Sequence, residues 1–250
     1  MNLLLVDTGE LAGDGTCVVR DRRASHLRGV LGVAVGDHVR AGVVGGAAGR
    51  ARVLAVRDPD NEVELAFELG ATAMPALPVD LVLAVPRPKA LARVIEIAAS
   101  FAVRRVDLTN SWRVDKSYLR SPRLAPEVLA HHARLGAEQG ATTHVPAVDV
   151  HARLMPLLDA RWPAGAATPA RALLIAHPDA PPLESVASLA DVTLAIGPEG
   201  GWIQRELDTV VARGFTPISL GDPILRVEAA VAAALGQIIL LRRLRAGSPR

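Results

Sequence analysis

Ile196-Gly-Pro-Glu-Gly-Gly-Trp202 follows an apolar run and precedes a stretch with helical spacing, and it carries glycines at 197, 200 and 201. Glycines so placed let backbone N–H groups come close to a ligand and admit positive φ. Phosphate binding is one chemistry such a loop serves. Here, however, no Gly-Lys-Ser/Thr ending follows and the spacing is not G-x-G-x-x-G, so nucleotide readings lose their main support. Taken alone, the segment also reads as an ordinary strand-to-helix turn.

A second loop adds to the first. Ser219-Leu-Gly-Asp-Pro-Ile-Leu-Arg-Val-Glu-Ala-Ala230 contains Gly221 and leads into an apolar helix. Two such loops at the ends of neighbouring strands can enclose one small ligand between backbone amides and carbonyls. Arg226 and Glu228 stand at the entrance of that helix, where an uncompensated charge is costly if buried. They read either as an ion pair capping the helix or as charges aimed at a ligand beside the loop.

Other chemistries find less support. The seven histidines, His131-His132 among them, lack the carboxylate or cysteine company of a metal site, so no metal is expected. Cys17 is the single cysteine, which excludes an internal disulfide and places the chain inside the cell. The longest uncharged stretch, Ala229 to Leu241, is 13 residues, short of the roughly 20 that span a bilayer. It reads as a buried helix, the N-terminus does not read as a signal peptide, and the expected location is the cytoplasm.

The 28 basic residues nearly balance the 26 acidic ones, yet only Lys89 and Lys116 are lysines. Arginine suits phosphate, because its planar fork matches phosphate oxygens, although codon usage explains the bias equally well. From Arg87 to Arg134, ten basic residues stand against four acidic ones, an excess that could face nucleic acid.

The elements that must position these loops fall into two groups. Residues 1 to about 70 hold short β-like runs broken by turn signals such as Asp14-Gly15 and Gly45-Gly46, which predicts a small barrel. Residues 70–78, with two prolines, read as a linker. Beyond them, strands at 80–85, 105–108, 172–177 and 191–197 and a short one at 216–220 alternate with helices at 90–101, 126–139, 204–213 and 228–244. The Ala/Gly/Pro-rich stretch 163–170 reads as a loop. The alternation predicts an α/β fold with a largely parallel sheet and ligands at the carboxyl ends of its strands.

With strand-IGPEGGW followed by SLG-x-x-ILR-x-E-x-A, the chain resembles the SPOUT methyltransferases, and within them the ribosomal RNA small subunit methyltransferase E family. His26-Leu-Arg-Gly-Val-Leu31 with Gly36-Asp37, and Ala137-Glu-Gln139 with Val145-Pro146, extend the likeness over nearly the whole chain. The resemblance implies a PUA-like N-terminal β-barrel (1–72) that binds RNA, and a SPOUT domain (73–250) with a deep trefoil knot that binds S-adenosylmethionine and forms a homodimer. It implies methylation at N3 of a uridine in 16S rRNA. His177, Ile196, Gly197, Gly200, Gly201, Ser219, Leu220, Gly221, Ile224 and Leu225 would hold the cofactor. Arg226, Glu228 and Glu199 would be catalytic. Arg20, Arg22, Arg23, His26, Arg28, Arg87, Lys89 and Arg113 would contact RNA. Few aromatic residues favour recognition by shape and phosphate over stacking platforms. Gly32, Thr142 and Pro223 depart from the family pattern, so another RNA substrate, or a non-catalytic RNA-binding protein, are the alternatives.

Overall fold

The computed structural model describes residues 1–163 and 171–247, so the expected loop at 163–170 lies, after Pro163, outside the described residues. β1 (Leu4–Val6), β2 (Thr16–Val19), β3 (His38–Val43), β4 (Ala47–Arg57) and β5 (Glu62–Ala73) make one sheet in the order β1-β3-β4-β5-β2. Its alternating inward side chains, Val53, Val63 and Leu65 among them, form a core with Ala24 and Leu27 of helix α1 (Arg22–Gly29). No closed barrel is shown: β1 and β2 end the ladder without pairing to each other.

The local chemistry at β1 accounts for the open seam. Val6 O faces β3, accepting from Val44 N–H at 2.9 Å, so alternation turns Leu5 O to the free edge. There it accepts from Arg23 Nη1 at 2.9 Å and Arg134 Nη2 at 2.7 Å, so two guanidinium groups stand where a strand would. The basic stretch 20–28 is therefore not a strand edge. Asp21 caps α1, its carboxylate accepting from Arg23 N–H at 2.8 Å, and an Asp ahead of helix formers is the sequence signal for such a start.

Arg23, expected at RNA, is only 6% exposed and bound to Glu10 and Asp21 as well as Leu5 O. Burial removes it from any RNA surface. The hydrogen bond from Arg23 holds the Glu10 carboxyl below its ordinary 4.5. For Asp21, burial pushes the pKa up, but hydrogen bonds from Arg23 outweigh it and the net shift is downward. A carboxyl lowered in the folded state contributes stability that is present above its unfolded pKa and lost as pH falls through the folded value. Replacement Arg23→Gln should therefore cost about 2 kcal/mol at neutral pH, chiefly through the lost charge-assisted hydrogen bonds to Glu10 and Asp21. Thermal melts of both proteins from neutral pH down to about pH 3 check it: the gap should narrow as the carboxylates protonate.

The second sheet is β6 (Leu77–Ala84), β7 (Val103–Thr109), β8 (Ala147–His151), β9 (Ala172–Ala176), β10 (Val192–Ile196) and β11 (Thr216–Ile218), in the order β11-β9-β10-β6-β7-β8. Every pair in it is parallel, as the alternation predicted. The helices are α2 (Pro88–Ser100), α3 (Pro126–Gly140), α4 (Leu154–Arg161), α5 (Gln204–Val211) and α6 (Val227–Arg245). The expected linker is mostly strand. Ala73 of β5 still pairs with Ala47, and β6 resumes at Leu77.

The two sheets meet through α3. Asn2 and Leu3 N–H both donate to Glu138 O at 3.1 Å, Arg22 binds the Glu138 carboxylate at 2.8 Å, and Thr143 Oγ1 donates to Gly46 O at 2.6 Å. The Ala137-Glu-Gln139 segment is thus a fastener between the sheets. Among the described residues no helix is long and apolar enough to cross a membrane. Nor do they include a group of three or more His, Cys, Asp or Glu placed to hold a metal.

Candidate functional site

The chain runs from β9 to β10 on one side and then returns to β11 on the other side of β9. In parallel α/β sheets such a reversal opens a crevice at the carboxyl ends of the strands. A cleft of about 340 Å³ lies there, within the size range of small-molecule sites. It draws together all ten residues expected to hold a cofactor: His177 after β9, Ile196, Gly197, Gly200 and Gly201 after β10, and Ser219, Leu220, Gly221, Ile224 and Leu225 after β11. Glu199 and Arg113 line it too, as do Val227 and Ala230 from the first turns of α6.

Backbone geometry sets the shape of both loops. Gly201 has φ +71°, with its N–H bound to Pro198 O at 2.8 Å, and Gly221 has φ +132°. A Cβ at Gly197 would sit 3.1 Å from Trp202 Nε1 and nearly as close to two of the indole carbons. That glycine lets the indole lie against the strand end. Ser219 N–H donates to Pro181 O at 2.7 Å, and Gln237 Nε2 of α6 donates to Leu220 O at 2.9 Å, so the second loop is held from both sides.

Several polar groups of the residues that line the cleft lack protein partners. Among the described residues the backbone N–H groups of Gly197, Leu220 and Leu225 donate to no protein acceptor. Trp202 also lines the cleft; it is 7% exposed, and its Nε1 is buried with no protein partner. Trp202 stood inside the first motif but was not among the expected site residues. A Trp directly after a Gly-Gly turn, with only three in the chain, was the available signal. Gln237 gave none, because its role depends on α6 folding back over the loop.

Charged residues are placed differently. Glu199, whose side chain is 27% exposed, accepts from Arg87 N–H at 3.1 Å, and the Arg87 guanidinium lies 3.8 Å away. Arg113 Nη1 donates to Gly200 O. Arg226 is the exposed residue just ahead of α6, Glu228 is half-buried, and no ion pair joins them or binds either to another described residue. The helix-capping ion pair is therefore not formed. Neither residue lines the cleft, although Leu225 and Val227 on either side of Arg226 do.

On the N-terminal sheet the expected RNA contacts are internally neutralised. Arg20 binds Glu62, Arg22 binds Glu138, and Arg28 binds Asp58. His26 is half-buried, and burial lowers its pKa. Lys89, in α2, is exposed and has no carboxylate partner among the described residues.

Comparison with known proteins bears on the whole arrangement. The ribosomal RNA small subunit methyltransferase E of Treponema pallidum is 27% identical over 242 residues, covering 96% of this chain and 91% of its own. A protein of Borreliella burgdorferi named ribosomal RNA small subunit methyltransferase E 1 is 24% identical, covering 94% of this chain and 95% of its own. Among solved structures, the ribosomal RNA small subunit methyltransferase E of Neisseria gonorrhoeae, bound to S-adenosyl methionine, superposes with a TM-score of 0.75 at 21% identity, over 96% of this chain and 98% of that one. At that identity the likeness shows the fold. The family model for the RNA methyltransferase domain matches residues 72–239, the parallel sheet and both glycine loops, and the chain belongs to that family.

Proposed function

We propose that the protein transfers a methyl group from S-adenosylmethionine to N3 of a uridine in 16S rRNA, acting in the cytoplasm as a homodimer. The observation that carries this reading is one cleft closed by both glycine loops at the reversal around β9, lined by Gly197, Leu220 and Leu225, whose backbone N–H groups have no protein acceptor among the described residues. These groups fit an adenosine and an amino-acid moiety, both rich in acceptors, while the apolar Ile196, Leu220 and Leu225 fit the rest. When bound there, the cofactor supplies an electrophilic methyl on a sulfonium.

The chain's own residues then have to bring the nucleophile into line and manage its proton. Holding the reacting atoms at near-attack distance supplies much of the acceleration in a displacement of this kind. Uracil N3 carries a proton at neutral pH, and its loss spreads negative charge onto O2 and O4. Arg226, exposed beside the cleft and unpaired, is the cation for that charge. Glu228, or else Glu199, orders the base or accepts the proton. The same reading carries a trefoil crossing of the loops that close the cleft, and a division near residue 72 between the N-terminal sheet and the methyltransferase unit.

Deleting the gene and mapping modified uridines in 16S rRNA tests the reading. The expected result is loss of one N3-methyluridine, restored by the intact gene; an unchanged level excludes this substrate. Sedimentation at micromolar concentration should show twice the 26.3 kDa chain mass.

A further inference from the structure

We propose that the connection between β7 and α3, residues 110–125, grips the RNA, with Arg113, Lys116, Arg120 and Arg123 on phosphates and the Trp112 indole against a nucleobase. This rests on the methyltransferase reading and names the surface that reading needs. Affinity for a polyanion comes from cations free to replace its counterions. The N-terminal arginines Arg20, Arg22, Arg23 and Arg28 are all bound to carboxylates. In the connection, by contrast, Arg113, Lys116, Arg120 and Arg123 are exposed and none has a carboxylate partner among the described residues. The one acid within it, Asp115, is turned back on the chain, accepting from Ser117 N–H at 2.8 Å.

The connection is also built to hold these cations in place. Val114 is buried, and Tyr118, Leu119 and Leu124 are packed on the core of the parallel sheet. Short 3₁₀ turns at Tyr118–Arg120 and Pro122–Leu124 stiffen it. At its start, Trp112 N–H donates to Glu206 Oε1 at 2.8 Å while Arg113 reaches Gly200 O, so both residues are tied to the first glycine loop and the helix that follows it. Yet the Trp112 side chain is 78% exposed. A fixed backbone presenting a bare indole beside the cleft, among unpaired cations, matches how proteins hold unstacked bases. Glu199 and Glu206, of the first glycine loop and the helix after it, are already engaged by Arg87 N–H and by Trp112 N–H.

The test compares two variants of the full-length protein for binding to a 16S rRNA transcript and to an unrelated transcript of equal length, each over a series of salt concentrations. Lys116→Gln/Arg120→Gln/Arg123→Gln should lower affinity on both RNAs and reduce the slope of log affinity against log salt by about 2, since each lost phosphate contact removes about 0.7–0.9. Arg20→Gln/Arg28→Gln should leave that slope unchanged. Cofactor affinity and melting temperature of the triple variant should match the parent. Trp112→Ala should weaken RNA binding roughly ten-fold, with Trp112→Phe restoring most of it. An unchanged slope in the triple variant, or an equal loss in the N-terminal variant, overturns the proposal. Equal binding of both transcripts with no methylation of either would instead overturn the 16S assignment and leave the slope comparison intact.

Discussion

Arg226→Ala is expected to lower single-turnover methyl transfer by on the order of 100-fold or more while leaving the melting temperature and cofactor affinity close to those of the parent. Removing one preorganised donor from a developing oxyanion typically has that effect, because the donor's contribution is realised only as charge appears. The structure sharpens the contrast with a structural role. Arg226 is exposed and makes no ion pair with Glu228, so truncation orphans no buried charge and exposes no core. Surface substitutions without such consequences usually change stability by less than about 0.5 kcal/mol. Arg226→Lys should recover part of the rate, since it restores charge without the planar fork. Melting, calorimetry with S-adenosylmethionine and a single-turnover assay on one preparation decide the matter. Near-normal turnover in the alanine variant would take Arg226 off the catalytic list.

Gly197→Val should weaken cofactor binding by about ten- to a hundred-fold, the size expected when an overpacked site costs about 1–3 kcal/mol. Its Cβ would meet the Trp202 ring at 3.1–3.3 Å, and the indole, which helps line the cleft, has to move. Gly29→Ala, at the end of α1, is the control, because a Cβ there meets nothing within 4 Å and the residue lies away from the cleft. Calorimetry on the two variants should therefore separate them clearly. Equal affinities would show that the ligand does not lie against the Gly197–Trp202 wall.

Much of this molecule was legible in its residues because the signals are local. Apolar runs bounded by Gly and Pro marked β6, β9 and β10, and 3.6-residue spacing marked α2, α3 and α6. Glycines marked both loops, and the family resemblance joined them in one site, as the cleft they share now does. Elements that lack such a signal were missed. β8 is an edge strand, largely exposed along Ala147–His151, so no apolar run announces it. α4 carries Pro156 within its first turn and only three buried leucines. α1 hid its Asp21 cap behind a run of charges that reads as a surface.

What the sequence by itself determined is the alternation of strands and helices after residue 78, the largely parallel sheet, and the two glycine loops, whose strands β10 and β11 the fold sets on either side of β9. Those follow from backbone propensity and hydrophobic period, which act within a few residues. Only the tertiary structure decided which charges are free. Arg20, Arg22, Arg23 and Arg28 look in the sequence like a basic patch, and their partners Glu62, Glu138, Glu10 and Asp58 are up to 116 residues away. Arg226 and Glu228, near neighbours in the chain, do not pair at all. Coulomb attraction depends on distance through space, and the fold alone brings distant carboxylates to some arginines while leaving those of the β7–α3 connection bare.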